Sequence, residues 1–128
     1  MSRLYNILNA LAGTLKPSTL ATSYTSNSYV GSTDFARIAA YEKDGVVYVK
    51  GNLYITANPQ QNSAVTIGSI TLPRNLLYDA QLTIPSASGG NGLVSVATNG
   101  DISIIRLTST SWSGWARFSL SAPLAAIS

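Results

Sequence analysis

Residues 36–57 read ARIAAYEKDGVVYVKGNLYITA, and this stretch decides the fold class. Two runs of strand-forming residues flank Lys43-Asp44-Gly45, and a glycine turn between such runs is a hairpin signal. The apolar positions of the second run share one face, namely Val47, Val49, Leu53 and Ile55. The other face carries Tyr48, Lys50, Asn52, Tyr54 and Thr56. We therefore predict a hairpin with one buried face and one face in contact with water.

The length of the turn at Asp44-Gly45 follows if inward side chains are required to pair across the hairpin. A two-residue loop would place Glu42 opposite Val47. A three-residue loop instead places Tyr41 opposite Val47 and Ala39 opposite Val49, which keeps apolar side chains together. The sequence therefore predicts a three-residue loop with a bulge and with Gly45 in the left-handed conformation.

A second hairpin is indicated at Thr98-Asn99-Gly100. A three-residue loop at this point pairs Val96 with Ile102 and Val94 with Ile104, whereas a two-residue loop would separate these apolar side chains. We predict the same construction for both hairpins.

Three further runs are typical of strands, at 64–72, 80–84 and 116–120. The glycine-rich loop 86–92 lacks the helix start and the Lys-Ser/Thr pair of a phosphate-binding loop, so we expect an ordinary connection between strands. The whole pattern, about eight short strands, predicts an all-β fold. We expect an antiparallel β-sandwich of jelly-roll type over residues 36–128.

Residues 1–16 are typical of an α-helix with one narrow apolar stripe, formed by Leu4, Leu8, Leu11 and Leu15. A helix of this length is marginal in water by itself, and Pro17 ends it. We predict that the stripe forms an oligomerising stalk with other copies of the chain. The alternative is that the helix packs on its own β-domain. Residues 17–35 are expected to form an extended connector or an edge strand.

The amino-acid composition excludes most common enzyme mechanisms. The chain has no Cys and no His, which excludes thiolate metal sites, a histidine proton shuttle and the usual triad base. A glycosidase would need two converging carboxylates. Asp44 and Asp101 suit turns, which leaves Asp34, Glu42 and Asp79, and no pair among these is shown by the sequence to converge. We expect no catalysis, no cofactor and no metal site.

The charge pattern does not predict a nucleic-acid partner. The net charge of +3 comes from eight Lys and Arg residues that are spread singly along the chain, without a basic run. Asn6 and Asn9 interrupt the apolar N-terminal stretch, so it does not fit a signal peptide. No stretch approaches the ~20 apolar residues of a membrane span. We expect a protein made in the cytoplasm, without membrane insertion.

Four segments between residues 36 and 121 occur in an order that also characterises a known family. They are VYV at 47–49 with GNL at 51–53, IGSITLP at 67–73, GLVSV at 92–96 with NGDI at 99–102, and WARFS at 115–119. In this order they resemble the C-terminal head modules of bacteriophage tail-fibre and baseplate receptor-binding proteins. The resemblance implies a homotrimer of β-sandwich heads on an N-terminal stalk, which binds saccharides on a bacterial surface. It also implies a location in the virion, with other tail or baseplate proteins as partners.

Saccharide binding would use exposed aromatic faces, because sugar rings present C–H groups for stacking. Trp112, in the Ser/Thr-rich loop 108–114, is the first candidate platform, with a packing position as its equal alternative. Trp115 is the second, although its place at the start of the last strand also suits a core or interface position. Tyr54, on the water-facing side of its strand, is the third candidate, with subunit contact as its alternative.

The sequence thus predicts a phage or prophage tail adhesin that recognises host-surface carbohydrate without catalysis. The alternative is a structural virion or tail subunit that binds no receptor. A cellular lectin-like or tumour-necrosis-factor-like trimeric ligand is a third hypothesis, which the unsuitable N-terminal stretch disfavours.

Overall fold

The structure, a computed structural model, describes residues 17–127, and these form nine β-strands and one short helix. In chain order the elements are β1 (Ser18–Leu20), β2 (Thr22–Tyr24), α1 (Ser32–Phe35), β3 (Ala39–Lys43), β4 (Val46–Ile55), β5 (Ala64–Ile70), β6 (Ala80–Pro85), β7 (Asn91–Val96), β8 (Asp101–Arg106) and β9 (Gly114–Pro123). Within this part of the chain, no helix has the length and apolar character needed to span a membrane. The predicted N-terminal helix and its four leucines lie outside the described residues.

The strands form two sheets, and their neighbours pair antiparallel. The four-stranded sheet has the order β1-β3-β4-β9 and the five-stranded sheet the order β2-β5-β8-β7-β6. The predicted all-β fold with two antiparallel sheets is therefore confirmed. The jelly-roll type stays a prediction. The order β5-β8-β7-β6 places β5 beside the three hairpin-connected strands β6, β7 and β8, as in one Greek key, and a jelly roll is built from two.

The core lies between the two sheets and consists of the inward-facing residues, which alternate with outward-facing residues along each strand. In β4 the side chains of Val47, Val49, Leu53 and Ile55 are all buried, as the alternation predicted. The other sheet contributes Val94 and Val96 from β7 and Ile102 and Ile104 from β8. Valine and isoleucine suit these positions because branched side chains pack well on a pleated surface.

The turn between β3 and β4 differs from the prediction. Glu42 pairs with Val47 and Lys43 with Val46, so the loop has two residues. Both loop residues are left-handed, with φ of 54° at Asp44 and 79° at Gly45, as a type I′ turn requires. Glu42 lies opposite the apolar Val47 after all. Its carboxylate has a polar partner there, because it accepts a hydrogen bond from the Gly45 N–H at 2.7 Å.

The inward face of β3 follows from this register. Ala40, not Ala39, pairs with Val49, and Ala40 is buried while Ala39 is exposed. Ile38 precedes it on the same side and is also buried. The prediction failed because adjacent alanines at 39 and 40 give almost no signal of which face is apolar.

The second hairpin agrees with the prediction. Val96 pairs with Ile102 and Val94 with Ile104. Gly100 has φ of 99°, and its N–H donates to the carbonyl of Ala97 at 2.9 Å. A three-residue loop with a left-handed glycine therefore connects β7 and β8, and the two hairpins do not share one construction.

Residues 17–35 contribute to both sheets. β1 pairs with β3, and β2 pairs with β5, so each sheet receives an edge strand from this stretch. Of the two forms that the sequence left open here, the stretch takes the edge-strand form. The first strands of the two sheets therefore start at Ser18 and Thr22, upstream of residue 36, where the sequence placed the beginning of the head.

Candidate ligand-binding surface

The outward side of the four-stranded sheet is built mainly from β4 and β9, and we call it the outer face. The antiparallel register places Tyr54 beside Trp115, Asn52 beside Arg117 and Lys50 beside Ser119. The residues between them point to the core, as the burial of Leu53, Ala116 and Phe118 shows. Strand alternation thus collects aromatic, basic and amide side chains from two segments that are more than 60 residues apart in sequence.

An exposed aromatic pair lies at one end of the outer face. The rings of Tyr54 and Trp115 meet edge to face, with centroids 5.0 Å apart and planes 73° apart. Such a pair across two strands stabilises a sheet by about 0.5–1.5 kcal/mol beyond area burial. Tyr54 is 39% exposed and Trp115 is 43% exposed, so both rings retain surface that a ligand can contact.

Arg37 extends over this pair from the segment before β3. Its guanidinium carbon lies 4.9 Å from the centroid of the Trp115 ring, within the range of a cation–π interaction. The contact limits the positions that a long side chain can adopt. Arg37 is therefore held over the outer face although the residue is exposed.

A groove of about 590 Å³ lies next to the aromatic pair. It is lined by Arg37, Ala39, Lys50, Gly51, Asn52, Leu82, Arg117, Phe118 and Ser119. Three of these residues are cationic, and none is acidic. We call this site the basic groove; it contacts both the outer face and the edge residue Leu82 of β6.

The acidic side chains of the described chain are engaged at turns or lie outside the groove. Asp79 accepts a hydrogen bond from the Thr98 N–H at 3.0 Å, and Asp101 follows the β7–β8 turn, where Asn99 donates to it. Asp44 forms the first turn. Asp34 belongs to α1, and its carboxylate lies near Gly31. Among residues 17–127, no group of three acidic side chains is arranged to hold a metal ion.

Trp112 is fully buried, with no exposed surface. Its indole Nε1–H donates to the carbonyl of Ile84 at 3.2 Å, and its backbone N–H donates to Oδ1 of Asn58 at 3.0 Å. The ring lies against Gly92, where any side chain would overlap it. The expectation that Trp112 would be the exposed tryptophan is therefore wrong, because a ring without exposed surface has no face to offer a sugar.

The remaining two aromatic candidates lie together. Trp115 begins β9 as expected, but its ring is on the water-facing side instead of in the core. Tyr54 lies on the same side, where the alternation of β4 placed it. Nothing in the sequence pattern indicates that these two residues are partners, because β4 and β9 are joined only in the folded sheet.

The basic groove was not predicted. The eight basic residues looked evenly spread, yet three of them converge here. A partial signal was present, since the alternation places Lys50 on the water-facing side of β4 and Arg117 between the apolar Ala116 and Phe118 of β9. The missing information was the pairing of these strands.

No protein-family model matches this sequence, and no curated protein sequence does. A solved structure matches it well: the crystal structure of the head domain of phage bIL170, from a study of whether the receptor-binding domains of lactococcal phages share a fold. The two chains are 30% identical with a TM-score of 0.59, and the match covers 83% of this chain and 97% of that chain. The chain belongs to the family of phage receptor-binding head domains.

Proposed function

We propose that this chain is the receptor-binding head of a phage or prophage tail and attaches the virion to carbohydrate on the bacterial surface. The observation that carries the proposal is the exposed Tyr54–Trp115 pair at the edge of a groove, on a fold shared with a phage receptor-binding head domain. The chain binds its ligand without transforming it. It is made in the bacterial cytoplasm and is incorporated into the virion beside other tail or baseplate proteins.

The outer face has the chemistry that a saccharide needs. A sugar ring stacks its C–H face on the free surface of Tyr54 or Trp115, while its hydroxyls exchange hydrogen bonds with Asn52 and Ser119 in the adjoining groove. A volume of about 590 Å³ lies within the range of about 300–1,000 Å³ that is usual for small-ligand pockets. The groove therefore has room for a short oligosaccharide segment.

A homotrimer would supply the strength of attachment. Single contacts with a sugar are weak, and three copies that bind one surface together gain affinity through effective concentration. The leucine stripe of residues 1–16 supports this assembly. So does an apolar region with Leu77, Tyr78 and Ile127 exposed, at the end of the sandwich where Leu77 N–H donates to the Pro123 carbonyl.

This apolar region and the start of the described chain share one end of the molecule. β1 begins at Ser18 opposite Glu42, next to the Asp44-Gly45 turn, and Leu124 N–H donates to the Gly45 carbonyl at 2.8 Å. An N-terminal stalk would therefore leave the head at the end opposite Tyr54 and Trp115, which lie about eight residues, or about 27 Å, from Pro123 along β9. The proposed ligand surface would face away from the stalk.

The test is equilibrium binding of the whole chain to purified cell-wall polysaccharides, beginning with lactococcal strains because the similar head domain comes from a lactococcal phage. The double variant Tyr54→Ala with Trp115→Ala should weaken saturable binding at least about tenfold, in line with the loss of two stacking contacts. Leu107→Ala is the control, an exposed apolar side chain that follows β8 and does not line the groove. Absence of saturable binding to any saccharide would favour a structural tail subunit instead.

A further inference from the structure

We propose that the glycine-rich loop 86–92 positions Trp115 for the ligand, and that Ser88 is the residue through which it does so. This inference rests on the proposed function and adds a positioning residue to the same site. Ser88 does not line the groove. It acts through residues 107–113, which lead into β9.

The hydroxyl of Ser88 uses its whole hydrogen-bonding capacity on neighbouring loop residues. It donates to the Ser111 carbonyl and accepts from the Ser113 N–H at 3.0 Å. Its oxygen also lies 3.0 Å from the Oγ of Ser86. Because a hydroxyl has one proton, which Ser88 gives to Ser111, the Ser86 hydroxyl is the donor in this pair. We call these four serines the serine clamp.

Backbone hydrogen bonds continue the serine clamp to the exposed tryptophan. The Ser88 N–H donates to the Ser113 carbonyl at 3.4 Å, and the Ala87 N–H donates to the Trp115 carbonyl at 3.0 Å. Trp115 is the second residue of β9, so β4 holds its backbone on one side and the loop holds it on the other. The serine clamp therefore fixes the segment of chain from which the exposed indole ring extends.

Gly90 allows the two loops to approach each other closely. It is buried, and a Cβ at this position would overlap the carbonyl oxygen of Ser111. The Gly90 N–H donates to that same carbonyl at 3.0 Å. A residue with any side chain would therefore separate the loops and open the serine clamp. The loop that matches no phosphate-binding motif thus has a use beside Trp115.

The exposure of Ser88 separates positioning from global stability. Because Ser88 is exposed, water can replace the hydrogen bonds that an alanine at this position would lose, so the cost to the folded state is small. Residues 107–113 belong to no helix or strand, and their order depends on such local contacts. If Trp115 spends less time in the position that binds the ligand, the apparent dissociation constant rises in inverse proportion to that fraction.

The test compares Ser88→Ala with Ser88→Thr by equilibrium titration of the whole chain with purified lactococcal cell-wall polysaccharide. Ser88→Ala should raise the dissociation constant at least about threefold, which corresponds to a binding-competent Trp115 for about a third of the time. Ser88→Thr keeps the hydroxyl and should stay within about twofold of the unmodified chain. Ser28→Ala is the matched control, an exposed loop serine outside the serine clamp, and should leave the affinity unchanged.

A second readout needs no ligand. The NMR spectrum of the ¹⁵N-labelled chain contains one indole N–H signal for each tryptophan, and Trp115→Phe identifies the signal of Trp115. In Ser88→Ala this signal should shift or broaden. The Trp112 signal should change less, because its Nε1–H is held by the Ile84 carbonyl. Ser86→Ala removes only one bond of the Ser88 hydroxyl and should affect the Trp115 signal less than Ser88→Ala does.

The outcomes separate this inference from the proposed function. Absence of saccharide binding by the unmodified chain would overturn the proposed function and the inference that rests on it. Saturable binding with an unchanged Trp115 signal in Ser88→Ala would overturn the positioning role alone. Equal loss of affinity in Ser88→Ala and Ser88→Thr would overturn the hydroxyl as its cause. A lower melting temperature with unchanged affinity would make the serine clamp purely structural, and so would also overturn the inference.

Discussion

At the scale of single residues, the position of Trp112 depends on the absence of a side chain at Gly92. Gly92 is buried at the start of β7, and the indole ring occupies the space of its absent Cβ. The indole Nε1–H finds a carbonyl partner in Ile84, so the buried polar atom carries no desolvation penalty. A glycine within a strand pattern often marks such a close approach, and this was the available sequence signal that Trp112 is internal.

The variant Gly92→Ala should therefore destabilise the fold. The added methyl overlaps the Trp112 ring, and overpacking of a core site costs about 1–3 kcal/mol. Chemical denaturation followed by tryptophan fluorescence measures the loss. Gly31→Ala is the matched control, because its φ of −76° suits alanine and its nearest neighbour is 3.7 Å from the new methyl. Equal stability of Gly92→Ala and the unmodified chain would refute the packing described for Trp112.

At the scale of elements, the hairpins show what alternation can and cannot predict. β4 is ten residues long, and its repeated apolar positions fix the buried face without ambiguity. β3 has five residues, AAYEK, and its adjacent small alanines leave the register open. The turn residues then determine the register of β3 against β4. Asp44 and Gly45 both adopt positive φ and form the two-residue loop that suits the strand twist.

Substitutions in this turn should reveal its type. Gly45→Ala forces a left-handed residue with a Cβ, at a cost of about 1–2 kcal/mol. Asp44→Asn should change stability by less than about 0.5 kcal/mol, because asparagine is favoured at the first position of a type I′ turn. Thermal unfolding of both variants against the unmodified chain gives the comparison. Similar effects at the two positions would contradict the type I′ assignment.

The candidate site illustrates the limit of sequence at the same scale. The alternation of β4 placed Tyr54, Lys50 and Asn52 on the water-facing side, and each lies there. Their partners on β9 could not be deduced, since about 60 residues and four strands intervene between the two elements. The basic groove exists only through that pairing, and so it emerged only from the folded sheet.

At the scale of the whole molecule, the proposed attachment end and the proposed ligand surface lie at opposite ends of the sandwich. The described chain starts near the Asp44-Gly45 turn, where Leu77, Tyr78 and Ile127 are exposed. Tyr54 and Trp115 lie at the other end of β4 and β9. This polarity is what a head domain on a stalk needs, because its ligand surface must point away from the particle.

Assembly can be tested through the leucine stripe. Light scattering after size exclusion should give about 40 kDa for three copies of the 13.4-kDa chain. Leu8→Asp places a charge in the proposed seam and should reduce the mass to that of one chain. Asn9→Asp is the control, since it adds the same charge beside the stripe. An unchanged trimer in Leu8→Asp would exclude the seam as the cause of assembly, and a monomeric unmodified chain would exclude the trimer itself.

The most direct test of the central claim is binding of the fluorescently labelled whole chain to intact bacteria. On a panel of lactococcal strains, we predict saturable binding to at least one strain, abolished by that strain's purified cell-wall polysaccharide and by the double variant Tyr54→Ala with Trp115→Ala. The Leu107→Ala variant should bind as the unmodified chain does. Binding that survives the double variant and is not displaced by polysaccharide would contradict a carbohydrate receptor held on the outer face.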